Sequence, residues 1–182
     1  NPEVASFRML FSGTSLKSVP AGLFANNHKV TNFQSAFSKT AIQSVPADLF
    51  AGCGKVTTFM SCFTGCSELQ SVPAELFKSS GAFTTVTKTA FNNIFKDCTS
   101  LTEVPAGLFD GFTLVTAFND AFNGCASLTT LPAGLFATNT AVTSFTNVFK
   151  DCTSLKSIPE GVLGGLSKVT SFSGLFAGCT GL

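Results

Sequence analysis

Six prolines recur at an almost fixed interval. Pro20, Pro46, Pro73, Pro105, Pro132 and Pro159 are separated by 26, 27, 32, 27 and 27 residues, a period inside the range that marks solenoid and array architectures. From each proline the unit runs P-A-x-L-F, about five variable residues, then V-T-x-F-x-x-x-F-x-x-C-x-x-L-x-x-V and the next proline. This register places 19 of the 21 Phe in three columns. The first holds Phe7, Phe33, Phe59, Phe91, Phe118, Phe145 and Phe172; the second holds Phe11, Phe37, Phe63, Phe95, Phe122, Phe149 and Phe176. The third holds Phe24, Phe50, Phe77, Phe109 and Phe136, with Leu163 in its sixth slot, leaving Phe83 and Phe112 outside. One such unit cannot bury its apolar side alone, whereas stacked units bury it against one another in a continuous core.

The columns predict the cross-section of a turn. Leu16, Ile42, Leu69, Leu101, Leu128 and Leu155 form a further column, each followed three residues later by Val19, Val45, Val72, Val104, Leu131 or Ile158. L-x-x-V-P and V-T-x-F are short, β-prone segments, and proline ends the first because it cannot donate to a ladder. They are expected to form two short parallel strands per turn. P-A-G-L-F places proline at a first helical position, predicting a short helical or 3₁₀ turn, with a second expected at F-x-x-A-F-x-x-C. The predicted fold is therefore an α/β repeat solenoid of about 27 residues per turn. Residues 1–182 form a single repeat domain of about six and a half repeats.

Two departures from regularity carry information. The repeat from 73 to 105 is longer by five residues, within KSSGAFTTVTKTAF, where no residue is expected to sit cleanly in the Val column and Phe83 is extra. An insertion in a solenoid turn emerges as a surface loop or bulge. The first two units carry Thr14 and Thr40 where later units carry Cys66 and its equivalents, with one residue fewer before the next apolar position. The chain begins and ends inside a repeat without a polar terminal unit, so it is expected to be part of a longer array, and end-to-end self-association is expected of it in isolation.

The run V-T-x-F-x-x-x-F-x-x-C-x-x-L-x-x-V resembles the BspA-like bacterial surface-antigen family of leucine-rich repeats. FNDAFNGCASLTTLP, from Phe118 to Pro132, and FTNVFKDCTSLKSIP, from Phe145 to Pro159, carry the likeness best. The resemblance implies a curved, right-handed leucine-rich-repeat-like superhelix exposed on a cell surface, with adhesion to host or bacterial partners and no catalytic residues. The chain departs from the family pattern in placing P-A-x-L-F after the first strand and in favouring Phe over Met or Ile.

Composition and spacing weigh against most other classes. The formal net charge is +1 and the eleven Lys and Arg are scattered from Arg8 to Lys168, so no basic stripe for nucleic acid is expected. No apolar run approaches membrane-spanning length, and NPEVASFRML lacks the pattern of a signal peptide, so any targeting segment is expected outside these residues. The absence of Tyr and Trp points to rings used for packing rather than recognition.

Cys66, Cys98, Cys125, Cys152 and Cys179 recur once per turn. Cys62 fills a slot held elsewhere by Leu10, Ala36, Ile94, Ala121, Val148 and Leu175, and Cys53 sits where other turns have Asn27, Phe112, Asn139 and Leu166. Buried thiols are the favoured reading; stacking at roughly 5 Å leaves disulfides as an alternative on distance alone, and the spacing gives little support to a metal. His28, the single histidine, lies in the loop ANNHK with no repeated acid or nucleophile around it, and Asp97 and Asp151 are expected to cap turns by accepting backbone N–H bonds. No cofactor and no enzymatic constellation are expected.

The outward strand positions remain. One strip comprises Lys17, Ser18, Gln43, Ser44, Gln70, Ser71, Thr102, Glu103, Thr129, Thr130, Lys156 and Ser157. The other, the candidate binding face, is a hydroxyl column of Thr31, Thr57, Thr116, Thr143 and Thr170, with Thr58, Ser144 and Ser171 beside it. Small hydroxyl residues suit a solvated sheet face, and a wide hydroxyl-rich surface also suits many weak hydrogen bonds to a protein or glycan. The functional expectation is an extracellular or cell-surface binding module, with a structural spacer as the alternative.

Overall fold

The structure, a computed structural model, describes residues 1–78 and 85–182. Phe83 and most of the inserted loop lie outside the described residues. The three Phe columns stack. Rings of the second column lie nearly parallel at centroid separations of 5.4 to 5.6 Å from Phe11 to Phe176. Each third-column ring wedges between two successive first-column rings: Phe50 meets Phe33 and Phe59, both at 4.8 Å, and Phe109 meets Phe91 at 5.1 Å and Phe118 at 4.8 Å. Tilted and edge contacts of this kind add about 0.5–1.5 kcal/mol per pair beyond area burial. At the sixth slot Leu163 supplies no wedge, and there Phe145 stands nearly perpendicular to Phe136 (88°) and Phe172 (79°).

Among the described residues there is no helix and no strand; three isolated parallel bridges join Ser6 to Asn32, Asn32 to Thr58 and Ala117 to Ser144. Ladders between turns exist, but each is too short to make a strand. In the L-x-x-V segment a single bond links successive turns, from Gln43 N–H to Lys17 O, Gln70 to Gln43, Thr102 to Gln70, Thr129 to Thr102 and Lys156 to Thr129. Proline closes that segment on one side.

The expected helical turns are overlapping β-turns instead. From Phe33 to Thr40, alternate N–H groups split their bonds. Those of Phe33, Ser35, Phe37 and Lys39 donate to Thr58, Met60, Cys62 and Thr64 in the next turn, while those of Ala36, Ser38 and Thr40 donate three residues back. A helix is excluded because every turn has left-handed residues two and six positions after its first Phe. They are Met9 and Gly13, Ser35 and Lys39, Ser61 and Gly65, Asn93 and Asp97, Asp120 and Gly124, Asn147 and Asp151, and Gly174 and Gly178. A right-handed helix cannot pass through such a residue. In P-A-G-L-F, Gly22, Gly107, Gly134 and Gly161 break the helix in the same way.

The longer repeat keeps its register. Val86 is buried and Thr87 N–H bonds to Thr57 O at 2.8 Å, as Thr57 bonds to Thr31. Val86 therefore fills the Val column, contrary to the expectation from spacing. Of the five extra residues, three precede Val86 and two fall between Thr87 and Phe91. The latter bulge outward at Lys88, whose carbonyl accepts from both Thr116 and Ala117. Phe112, outside the columns, packs edge-on against Phe91 at 4.8 Å beside this repeat.

A Cβ built on Gly52 would lie 2.4 Å from Ala25 O, whereas one on Gly13 meets nothing within 4 Å; both glycines have positive φ. Both alanine substitutions carry the left-handed penalty of about 1–2 kcal/mol, and Gly52→Ala adds a backbone clash. Chemical denaturation is expected to show a clearly larger loss of stability for Gly52→Ala than for Gly13→Ala.

Candidate functional site

The hydroxyl column exists as a physical row, but most of its hydroxyls are already engaged. Thr31 Oγ1 donates to Ala5 O at 3.2 Å, Thr57 Oγ1 to Thr31 O at 3.0 Å, Thr116 Oγ1 to Lys88 O at 3.4 Å and Thr143 Oγ1 to Thr116 O at 3.5 Å. Each reinforces the backbone bond its own N–H makes to the same carbonyl. Thr58 Oγ1 accepts Met60 N–H at 3.1 Å, Ser171 Oγ accepts Ser173 N–H at 3.3 Å, and Ser144 Oγ donates to Asn119 Oδ1 at 2.8 Å. These are local hydroxyl-to-backbone turns and ladder supports. What remains for a ligand is acceptor capacity on the hydroxyl oxygens and the open faces of Thr143, Thr170 and Ser171, which are exposed.

Sequence spacing missed three members of this face. Thr87 extends the threonine column through the longer repeat, and Lys88 and Thr89 project from the bulge beside it, all three exposed. The V-T pair at Val86-Thr87 was the available signal, obscured because the insertion is divided around it.

The cysteines form an ordered interior row, and all seven are free and buried. The thiols of Cys66, Cys98, Cys125, Cys152 and Cys179 donate to the carbonyls of Phe37, Phe63, Phe95, Phe122 and Phe149 in the preceding turn, at 2.9 to 3.3 Å. Thr40, in the same slot, donates to Phe37 O in its own turn at 2.8 Å. Burial pushes these thiols above their ordinary range, Cys53 up to about 11 and Cys152 up to about 12, while Cys62, Cys66, Cys98, Cys125 and Cys179 shift in the same direction. Thiolate is the nucleophile and the metal ligand, so the row is chemically quiet.

The remaining polar residues also serve the stack. Among the described residues Asp97 and Asp151 accept no backbone N–H, contrary to the capping expectation. They occupy left-handed positions, which Asp tolerates, and their carboxylates lie over Gly124 and Gly178 of the next turn. Asp151 also pairs with Lys150 at 2.7 Å. His28 is exposed, its Nδ1 3.0 Å from Gly52 O. Asn139 is fully buried, donating to Phe109 O at 3.0 Å and Phe112 O at 3.3 Å, while its Oδ1 has no partner. Among the described residues no group of three or more His, Cys, Asp or Glu is placed to hold a metal ion, and no helix is long and apolar enough to cross a membrane.

Solved structures share this fold. A chain of the glycosylated Toll–Spatzle complex of Drosophila superposes with a TM-score of 0.60 and 24% identity, over 87% of this chain and 19% of that one. The leucine-rich-repeat domain of the type III effector XopL gives a TM-score of 0.43 at 14% identity, over 89% of this chain and 62% of that one. A leucine-rich-repeat protein from Bacteroides ovatus gives 0.26 at 18%, over 93% and 58%. The latter two are leucine-rich-repeat proteins by name, and this chain spans about a fifth of the length of the first. No protein-family profile matches the sequence, and no curated protein matches it.

Two outcomes are expected. Thr57→Val removes one ladder hydroxyl and should cost about 0.5–1.5 kcal/mol, read as a lower denaturation midpoint. The raised thiols fix the sign of an alkaline effect: their contribution is intact below the unfolded thiol value of about 8.5 and is lost as pH rises toward the folded values. The melting temperature should therefore fall between pH 8 and 10, and thiol reagents should label the protein only in denaturant; rapid labelling at neutral pH in buffer would contradict the burial.

Proposed function

We propose that this chain is an extracellular, surface-exposed leucine-rich-repeat module that binds a protein or glycan partner on a host or bacterial surface, and that it is not an enzyme. The observation that carries this reading is the solvent-facing threonine row, built on backbone groups that the neighbouring turns already satisfy. A regular, rigid face whose polar foundation is complete can meet a partner without reorganising, which lowers the ordering cost of binding. The register resemblance to BspA-like surface antigens supports the same reading, and the Toll–Spatzle neighbour, itself part of a protein complex, fits a protein as one kind of partner. Burial of the thiols also suits an oxidising exterior, because buried thiols are inert.

A spacer is the second reading, favoured by one observation: most column hydroxyls bond to the protein's own carbonyls. The decisive experiment is a screen of the whole chain on a glycan array and on host and bacterial cells. It runs beside a variant carrying Thr57→Gln, Thr116→Gln and Thr143→Gln, whose longer neutral side chains crowd the face. Saturable binding by the wild type, weakened in the variant at unchanged circular dichroism, is the expected result. Binding unaffected by the variant would move the site off this face, and no binding by either protein would favour the spacer.

A further inference from the structure

Placing Val86 in its column changes the charge of the candidate face. Residues on either side of each inward valine point outward together, so the threonine row has a neighbouring row of Lys29, Lys55, Thr85, Leu114, Ala141 and Lys168. All but the half-buried Ala141 are exposed. The bulge adds Lys88, also exposed, whose carbonyl is tied into the threonine ladder. Of the ten carboxylates, Glu3 is the one in these segments, and it pairs with Lys29 at 2.7 Å. Among the described residues no ion pair engages Lys55, Lys88 or Lys168. Four of the eleven Lys and Arg and one of the ten carboxylates lie here, a local excess of +3 in a protein whose net charge is only +1.

We propose that this face binds an acidic polysaccharide, with Lys55 and Lys88 as the main charge contacts and the threonine row between them as the hydroxyl contact. The proposal rests on the binding-module reading and narrows its partner. An acidic peptide fits less well for two reasons. The backbone groups under the face are paired between turns, so a peptide strand finds no ladder to join. Protein partners also draw most of their binding energy from buried aromatic and arginine anchors, and this chain has no Tyr or Trp and keeps every column Phe except Phe172 buried or half-buried. A neutral glycan would find hydroxyls but, among the described residues, only one exposed ring, Phe172 at the last turn, to stack on. An anionic chain running across the turns would meet ammonium groups at intervals, each contact weak and solvent-screened, with affinity summed along the polymer.

The test measures binding of the whole chain to immobilised sulfated polysaccharide, polyuronate, polyglutamate and dextran over a salt series. Lys55→Gln with Lys88→Gln is compared with Lys17→Gln plus Lys156→Gln, an equal change of net charge on the other strip. Expected is binding to both acidic polysaccharides and not to dextran, falling about tenfold or more between roughly 50 and 200 mM salt. The face pair should lose about tenfold in affinity and the control pair little. Equal losses from both pairs, preference for polyglutamate, or no binding to either acidic polysaccharide would overturn the proposal. If acidic polysaccharides fail while face-dependent binding persists in the array and cell screen, the binding module stands and only its partner class is wrong.

Discussion

The structure depends on how each turn divides its backbone hydrogen bonds. In the segment after the first Phe, alternate N–H groups face the next turn and the intervening ones close tight turns within their own. Neither set suffices alone. Local β-turns without lateral bonds would leave buried donors unsatisfied, and lateral bonds without local turns would require an extended strand too long for the repeat. The left-handed residues two and six positions after the Phe make the division possible, since they rotate successive peptide groups between the two directions. Inside that frame the side chains at the first and fifth positions face the core in every turn, where the Phe columns meet.

Those columns were legible because burial repeats faithfully: the same slot needs the same shape in every turn, and Phe recurs accordingly. The hydroxyl row was legible for the same reason. Secondary structure was less so. P-A-G-L-F and F-x-x-A-F-x-x-C have the apolar spacing of short helices, yet residues such as Ser35, Asn93, Asp120 and Asn147 adopt left-handed φ. The recurrence of Ser, Asn, Asp and Gly in those two slots was a usable signal, since these residues dominate turns. The register of Val86 was hidden because an insertion split three and two around it looks like one block of five.

The seventh position after the first Phe illustrates how slot and chemistry combine. Thr14 and Thr40 donate to a carbonyl in their own turn, while the five cysteines reach back to the preceding one. Hydroxyl and thiol thus satisfy a carbonyl of the second Phe column in different ways. The thiol's weak donor suits an apolar wall, where its size matters as much as its bond. Read only as redox chemistry, the cysteines would suggest a disulfide framework; read as a column, they are packing residues with a hydrogen bond.

A core built from Phe without Tyr or Trp also sets how the molecule interacts with light. Its near-ultraviolet absorbance is faint and it has no indole emission, so the native protein is nearly invisible to the usual optical probes. That darkness is useful. A single tryptophan placed at Phe112, against the edge of Phe91 and beside the one irregular repeat, would be the sole bright fluorophore in the chain and would report on that turn alone.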